Sequence, residues 1–184
     1  MKPVIMELQQ VILVNELDEP TGTMEKLEAH QKGLLHRAFS IFIFNSKGEL
    51  LLQQRAINKY HSGGLWTNTC CSHPQPGEET AISAQRRLLE EMGFKTPIEK
   101  IFDFVYKAEF NNGLTEYEFD HVYAGNYEGN IEYNKEEVMD YCYKSLADLR
   151  SSLQENPERY TKWFQLAFPK IEPWWERSHK TMGA

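Results

Sequence analysis

Runs of apolar residues between polar, turn-forming stretches predict β-strands in the first third of the chain. Residues 11–14 are all apolar and predict a short buried strand that ends at the Glu-Pro-Thr-Gly stretch of residues 19–22. Two further runs rich in apolar residues, at 39–44 and 49–55, flank the polar, Gly-containing residues 45–48. A turn-forming stretch between two such runs predicts a β-hairpin.

The clearest helical pattern leads up to Gly93 and predicts a helix over residues 78–92. Apolar residues recur there at spacings of three and four, which places them on one side of a helix. They are Ala81, Ala84, Leu88 and Met92. Gly93 follows directly, at the position where a helix-ending glycine is typical.

The second half of the chain predicts further strands and then helices. Aromatic-rich segments at residues 101–110 and 117–124 lie on either side of an Asn-Asn-Gly turn and predict two strands. Ser145 suits the cap of a helix that reaches about residue 153. Pro157 is typical of the first position of one more helix.

The order of these elements predicts a mixed α/β, or α+β, fold in one domain over residues 1–184, rather than a regular βαβ repeat. Hydrophobic residues make up 41%, aromatic residues 12% and charged residues 26%, which argues against disordered, fibrous and membrane-spanning chains. No apolar run approaches the roughly 20 residues that a bilayer span needs. The first ten residues lack the continuous apolar segment of a signal peptide.

The charge balance narrows the choice of partners. The chain has 27 acidic and 20 basic residues, giving a formal net charge of -7. An acidic chain binds nucleic acids and anionic membranes poorly, so we expect neither as a partner. A phosphate-containing ligand would need a local cluster of cations. The three cysteines are an odd and small number, which favours reduced thiols and a cytoplasmic location over a disulfide framework.

The segment between residues 72 and 94 contains Glu78, Arg86, Glu90, Glu91 and Gly93. In their spacing these residues resemble the Nudix box. In that family, carboxylates on a loop and a helix hold Mg²⁺, and the metal holds a diphosphate. A plainer alternative is also open. Arg and Glu four positions apart share a helix face, so the same residues could form solvated ion pairs without any metal.

Two positions depart from the Nudix box. Ser72 stands at its opening Gly, and Arg87 stands where most Nudix hydrolases carry a glutamate that helps to build a multi-metal site. A guanidinium offers only hydrogen-bond donors and cannot bind a metal, so Arg87 argues against pyrophosphate hydrolysis. Arg87 lies one helical turn before Glu91, so the guanidinium and the carboxylate could together bind a metal-bound diphosphate. A Nudix pyrophosphohydrolase acting on a nucleotide or another diphosphate stays as an alternative.

Histidines and glutamates near the predicted strand ends form a second candidate group. Its members are His30, His36, His73, Glu116 and Glu118. Borderline divalent metals accept imidazole and carboxylate together, and Glu116 and Glu118 lie on one face of an extended strand. Single histidines are more often structural, however, so a non-catalytic metal-binding or interaction module is a further alternative.

The two adjacent cysteines form a third feature. Neighbouring residues of an extended chain face opposite sides, so only one of Cys70 and Cys71 is expected to face a site. Cys71 lies two positions before His73, which favours Cys71 as that residue. Cys70 and Cys142 are interpreted as small packed hydrophobic residues.

Together these segments resemble the type I isopentenyl diphosphate isomerases. The resemblance rests on the Trp-Thr-Asn…Cys-x-His-Pro segment at 66–74, joined directly to the degenerate Nudix box. Residues 20–26, 36–40 and 136–141 fit the same family, and the likeness runs from about residue 8 to about 170. It implies a Nudix-like fold with a central mixed β-sheet between helices.

The resemblance also implies roles for individual residues. One Mn²⁺ or Zn²⁺ would be held by His30, His36, His73, Glu116 and Glu118. Mg²⁺, bound with the substrate diphosphate, would be held by Glu91. The basic residues around that diphosphate would be Lys26, Arg55, Lys59 and Arg87. Proton transfer would involve Cys71, Glu118 and Tyr106, and the hydrocarbon tail would lie beside Trp163.

The implied reaction is the conversion of isopentenyl diphosphate to dimethylallyl diphosphate in isoprenoid biosynthesis. An isolated alkene is a very weak base, so an acid must be placed beside it in a site closed to water. Protonation gives a tertiary carbocation, and a second group then removes a proton from the neighbouring carbon. The expected partner is therefore a small allylic or homoallylic diphosphate, and the expected state is a monomer or weak homodimer.

Overall fold

The computed structural model describes residues 9–180, and most of the amino-terminal segment considered above for a signal peptide lies outside the described residues. The strands are β1 (Gln10–Val14), β2 (Pro20–Glu25), β3 (His36–Phe44), β4 (Leu50–Arg55), β5 (Trp66–Thr67), β6 (Cys70–Ser72), β7 (Ile98–Glu109), β8 (Thr115–Asn126) and β9 (Val138–Lys144). The helices are α1 (Lys26–Lys32), α2 (Thr80–Met92), α3 (Leu146–Glu155) and α4 (Lys162–Lys180), with a short 3₁₀ turn at Pro157–Arg159.

Strand β3 is the centre of one mixed sheet. It runs parallel to β8 along its full length, from His36 opposite Glu118 to Phe44 opposite Asn126. On its other side it pairs antiparallel with β6, and β8 pairs antiparallel with β7. This register places the beginnings of β3 and β8 side by side, which brings a histidine and a carboxylate together.

The predicted hairpin of β3 and β4 has the expected turn but little pairing. Both strands form, yet the two pair only at Phe44 and Leu50. Beyond that point β4 diverges and pairs with β9 and β5 instead. Both strands are almost fully buried, so their apolar runs indicate strands without indicating which partner each strand chooses.

The side chains of β3 alternate between two hydrophobic layers. Phe39, Ile41 and Ile43 are fully buried in the layer that contains α2. Phe42 and Phe44 are fully buried in the layer that contains α3 and α4. Each such side chain contributes about 1.5–3 kcal/mol through its removal from water. The sheet therefore lies between helices, and the predicted α+β class is confirmed.

Two predicted helix ends are confirmed in detail. Helix α2 ends at Gly93, which has φ of 76°. A Cβ there would lie 2.1 Å from the carbonyl oxygen of Glu132, so a larger residue would clash with the backbone. At the start of α3, the Ser145 side chain accepts a hydrogen bond from the backbone N–H of Asp148.

The structure adds to or corrects other predictions. The first strand ends before residues 19–22 as predicted, but Pro20 also begins β2, which pairs antiparallel with β1. Pro157 begins the 3₁₀ turn rather than α4, which starts at Lys162. The sequence pattern also did not predict α1 or β9. Helix α1 has seven residues, too few for an apolar periodicity to emerge. Within residues 9–180, no helix combines the length and the apolar character needed to cross a membrane.

Candidate active site

A cavity of about 590 Å³ lies between the sheet, helix α2 and the loop from β4 to β5. Its walls come from segments that are far apart in the chain, including the β2–α1 junction, β8 and α4. The candidate residues that line it are Lys26, Arg55, Lys59, Cys71, His73, Arg87, Glu91, Tyr106, Glu116, Glu118 and Trp163. His30 and His36 are fully buried and approach the Glu118 carboxylate.

Three of the predicted histidines converge on one oxygen of Glu118. Oε1 of Glu118 lies 3.0 Å from Nε2 of His73, 3.5 Å from Nε2 of His36 and 3.8 Å from Nε2 of His30. The Nε2 atoms of His36 and His73 lie 3.2 Å apart. Four nitrogen and oxygen donors within reach of each other form a group that could hold a metal ion.

Hydrogen bonds to the backbone orient two of these rings. Nδ1 of His30 lies 2.6 Å from the Lys26 carbonyl oxygen, and Nδ1 of His36 lies 2.8 Å from that of Leu34. Donation from each Nδ1–H leaves Nε2 as the acceptor nitrogen, which is the arrangement that metal-binding histidines commonly have. Nε2 of His30 is buried and has no hydrogen-bond partner, as a ligand atom for a metal would be.

Glu116 lies beside the group of three histidines and Glu118, and it belongs to a second group of donors. Its Oε2 is 3.2 Å from the Tyr106 hydroxyl, which also donates a 2.6 Å hydrogen bond to Oε2 of Glu118. Its Oε1 is 3.3 Å from Nε2 of His61. Glu116, His61 and His30 form another set of donors that could hold a metal ion, so the two groups share His30. All five predicted ligands are thus brought into one region.

The two neighbouring carboxyls have opposite pKa shifts. Burial, and next the charge of Glu118, raise the pKa of Glu116 well above its usual range. Burial also acts to raise the pKa of Glu118, but the charge of His73 and hydrogen bonds from all three histidines lower it well below its usual range. A bound divalent cation would favour the ionised form of both carboxyls. The donor set and its charges therefore fit a divalent metal.

Cations collect on another wall of the cavity. Lys26, Arg55, Lys59 and Arg87 all line it. Burial, and next the charges of Lys59 and Arg55, lower the pKa of Lys26 to about 8. A chain of net charge -7 therefore contains a local positive cluster, as a phosphate ligand would require.

Glu91 lies at the edge of this cluster. Its Oε1 accepts a 2.6 Å hydrogen bond from Nη2 of Arg87, and its Oε2 accepts a 2.9 Å bond from Nε2 of Gln53. Arg87 also lies 3.5 Å from Glu137, which pairs with Lys59. A buried carboxylate among cations suits a metal ion bound together with an anion.

The two arginines of the Nudix-like box have different surroundings. Arg86 pairs with Glu78 and Glu90 at the surface, which fits the solvated ion-pair interpretation. Arg87 instead lines the cavity and contacts Glu91. The ion-pair alternative therefore describes Arg86, while Arg87 combines ion pairs to Glu90 and Glu91 with a place in the cavity where a ligand can reach it.

Cys71 and Trp163 border the same space. Cys71 lines the cavity, and burial raises the pKa of its thiol above the usual range. The indole ring of Trp163 is almost fully buried, and the guanidinium carbon of Arg55 lies 5.0 Å from the ring centroid. The indole of Trp163 therefore already forms a cation–π contact with Arg55, within the cavity that both residues line.

Sequence reasoning missed several cavity residues. They include Ser40, Gln53, Tyr60, His61 and Glu137. Glu137 lies in one of the segments that carried the family resemblance, but that resemblance gave it no role. His61 lies in the loop from β4 to β5, where no spacing pattern connects it to Glu116. The one signal in the sequence that could have identified His61 is the presence of a further histidine near the predicted strand ends.

Comparison with known proteins assigns the fold. A family model described as NUDIX domain matches residues 34–165. The crystal structure of DR0079 from Deinococcus radiodurans superposes with a TM-score of 0.74 at 17% identity, covering 88% of this chain and 98% of that one. The MutT protein from Methanosarcina mazei superposes with a TM-score of 0.62 at 20% identity, covering 79% and 96%. The fold and the cavity thus define a NUDIX-domain protein.

Relatives of known name are much more similar in sequence. The isopentenyl-diphosphate Delta-isomerase of Pectobacterium atrosepticum is 52% identical over 171 residues, which cover 93% of this chain and 96% of that protein. The isopentenyl-diphosphate Delta-isomerase of Burkholderia multivorans is 44% identical over 174 residues, covering 92% and 99%. The chain belongs to the isopentenyl-diphosphate Delta-isomerase family, which confirms the resemblance found in the sequence.

Proposed function

We propose that the cavity is the active site in which this isomerase interconverts isopentenyl diphosphate and dimethylallyl diphosphate. The observation that carries the proposal is that one cavity is lined both by a cation cluster and by a thiol, a carboxylate and an indole. The cation cluster suits a diphosphate. The thiol, the carboxylate and the indole suit a short hydrocarbon that gains and loses a proton. Membership of the isomerase family supports the same reaction.

Proton transfer is assigned to Cys71 and Glu118. The alkene needs an acid on one carbon and a base on the neighbouring carbon, and both groups line the cavity. The Tyr106 hydroxyl, 2.6 Å from Glu118, holds that carboxylate in place and can pass a proton to it. Trp163 faces the tail and stabilises the positive charge that develops there, by about 2 kcal/mol where water is excluded.

The diphosphate is assigned to the cation cluster. Lys26, Arg55, Lys59 and Arg87 neutralise its charge, and Glu91 is the residue that would hold Mg²⁺ beside it. Arginine donates in pairs to phosphate oxygens, which fixes the orientation of the bound group as well as its charge. Binding energy from this remote end then holds the tail against the proton-transfer residues.

A second divalent ion, Mn²⁺ or Zn²⁺, is assigned to His30, His36, His73, Glu116 and Glu118. When bound, such a cation fixes its carboxylate ligands and lowers their proton affinity. Within this proposal, residues 1–184 form a single domain that acts as a monomer or weak homodimer in the cytoplasm.

The two alternative functions, a non-catalytic module and a pyrophosphohydrolase, predict different arrangements of these residues. A non-catalytic module would leave Cys71, Tyr106 and Trp163 unrelated, whereas all three line one cavity. A pyrophosphohydrolase would release phosphate or a mononucleotide from its substrate. Arg87 faces Glu91 at the position where hydrolases need a further carboxylate, which supports isomerisation instead.

The deciding experiment is a product assay with purified protein and isopentenyl diphosphate. Dimethylallyl diphosphate should form without release of phosphate, and formation of phosphate in its place would overturn the proposal. Metal content measured in parallel tests the His/Glu site. We expect His73→Ala to lose the bound metal, because His73 contacts both His36 and Glu118. Wild-type metal content in that variant would contradict the assigned ligands.

A further inference from the structure

His61 is a buried histidine that the proposed mechanism does not use. It lies in the loop from β4 to β5 and is 8% exposed. Its Nε2 is 3.3 Å from Oε1 of Glu116, and its Nδ1 is 3.2 Å from the Ser62 hydroxyl. The neutral tautomer with its proton on Nε2 satisfies both contacts, since Nε2–H donates to the carboxylate and Nδ1 accepts from the hydroxyl.

Aromatic rings hold the imidazole of His61 in one orientation. It stacks on Phe110 at 5.0 Å between centroids and 26° between planes. The rings of Tyr60 and Trp163 meet it nearly perpendicular, at 4.4 Å and 5.9 Å. A ring enclosed in this way has little rotational freedom, so its Nε2 points at Glu116 without a further entropic cost.

Glu116 needs such a partner more than Glu118 does. Glu118 has three histidines around its Oε1. Glu116 is also buried, but among the residues that the structure describes each of its oxygens has one neighbour at hydrogen-bond distance, His61 at Oε1 and Tyr106 at Oε2. A buried carboxylate oxygen without a donor is costly and free to rotate. The contact with His61 therefore fixes the orientation of the Glu116 carboxylate, with one oxygen toward His61 and the other toward Tyr106.

We propose that His61 is a positioning residue of the His/Glu metal centre, whose Nε2–H holds Oε1 of Glu116 and presents Oε2 to the side of Glu118. This inference rests on the proposed function, because it takes Glu116 as a metal ligand. Outer partners that orient ligands in this way typically contribute 10- to 100-fold to metal affinity or activity. His61 also contacts Trp163, so one ring connects the metal centre to the wall of the hydrocarbon site.

Two substitutions separate hydrogen bonding from packing. His61→Phe keeps a ring for Phe110 and Trp163 but removes the donor to Glu116. His61→Gln loses the ring, but its amide N–H can occupy nearly the same place as Nε2–H. The matched control is His121→Phe, because His121 is also 8% exposed and lies 2.9 Å from a carboxylate, Asp18, away from the cavity.

The primary measurement is Zn²⁺ affinity, obtained by competition with a chromogenic chelator, with thermal unfolding as the check on folding. We expect His61→Phe to bind Zn²⁺ at least about tenfold more weakly than wild type. His61→Gln should lie within about threefold of wild type, and His121→Phe should match it. In steady-state kinetics, His61→Phe should lower kcat while KM changes less than about twofold, since Arg55 of the cation cluster donates to the backbone carbonyl of His61, which the substitution keeps.

Two results would overturn the role of His61. Wild-type Zn²⁺ affinity in His61→Phe would mean that the contact with Glu116 is incidental. Equal losses in His61→Gln and His61→Phe would make His61 a direct ligand or a packing residue. If His61→Phe does not fold, His61→Leu takes its place in the same comparison. A wild-type protein that binds no Zn²⁺ would instead contradict the proposed His/Glu site itself.

Discussion

Cys70 and Cys71 are adjacent in strand β6 and face opposite layers of the molecule. Cys70 is completely buried among the apolar side chains beneath α2. Cys71 packs at the other face and lines the cavity. The alternation of an extended strand therefore separates a packing cysteine from one that can reach a ligand, as the sequence pattern predicts.

We expect Cys71→Ser to lose most isomerase turnover while the protein stays folded. A serine hydroxyl is similar in size, but it differs strongly from a thiol as a proton donor and acceptor. Cys70→Ser is the matched control. A hydroxyl in that buried layer, between apolar side chains and the Glu91 carboxylate, should lower the free energy of unfolding by at most about 1–3 kcal/mol and preserve most of the turnover per folded molecule. Full activity in Cys71→Ser, or equal losses in both variants, would contradict the role of Cys71.

Trp163 is expected to act through its π face as well as its volume. The Arg55 guanidinium carbon already lies 5.0 Å from the ring centroid, so a positive charge is accommodated at the indole face. Trp163→Phe should therefore keep more of kcat than Trp163→Leu, because phenylalanine retains an aromatic face. The difference should approach tenfold if about 1.4 kcal/mol of stabilisation separates the two. Equal kcat values would mean that the residue only fills space.

Part of the site follows from residue types and short spacings, whereas the roles of Lys26, Tyr106 and Trp163 followed only from the family resemblance. Glu116 and Glu118 are two positions apart on β8 and do share a face toward the cavity. The helix that carries Arg87 and Glu91 follows from its apolar periodicity and from Gly93. These are local relationships, so no knowledge of the tertiary fold is needed to find them.

The rest of the site depends on pairing between distant segments. His36 lies opposite Glu118 only because β3 and β8 run parallel in one register, and a shift of one position would turn the side chains to the other layer. His61 reaches Glu116 from an irregular loop, so no periodicity predicts that contact. The divergence of β4 from β3 could not be predicted either, because the apolar sequence of a buried strand does not specify which strand it pairs with.

Glu78 should contribute stability that disappears in acid. Nε and Nη2 of Arg86 donate to its two oxygens at 2.8 and 2.9 Å, and chiefly this pairing lowers the pKa of Glu78 from 4.5 to about 2. A lowered folded-state pKa gives stability that is present above pH 4.5 and is lost as the pH falls towards 2. Since the side chains of Glu78 and Arg86 are both partly exposed, we expect their pairing to contribute about 0.5–1 kcal/mol to the free energy of unfolding.

The measurement is urea unfolding of wild type and Glu78→Gln between pH 7 and pH 3. The variant should be less stable at neutral pH, and the two curves should approach each other below about pH 4.5. Asp103→Asn is the control, since Asp103 forms an ion pair with Lys100 at the surface and is 42% exposed. A difference that stays constant down to pH 3 would mean that Glu78 is not held by its charge.

Arg87 is expected to hold the substrate diphosphate and to exclude hydrolytic chemistry. Its Nη2 lies 2.6 Å from Glu91, and both residues line the cavity. Arg87→Glu removes a donor to the diphosphate and adds a negative charge near Glu91 and Glu137. A charge-assisted contact contributes about 1.5–3 kcal/mol, so kcat/KM should fall at least about tenfold. The His/Glu metal content should not change, because Arg87 contacts none of those ligands in the residues that the structure describes.

Arg86→Glu, the same substitution one residue earlier in α2, is the control for the prediction on Arg87. Arg86 lies on the neighbouring face of α2, where it pairs with Glu78 and Glu90 and does not line the cavity. Arg86→Glu should therefore lower the free energy of unfolding with little change in KM. Isomerisation kinetics, phosphate release and metal content are measured for both variants. Unchanged kcat/KM in Arg87→Glu would place Arg87 outside the substrate site. Strong phosphate release by that variant would show that a carboxylate at this position is enough to admit hydrolysis, since it supplies the metal-binding group that a guanidinium cannot.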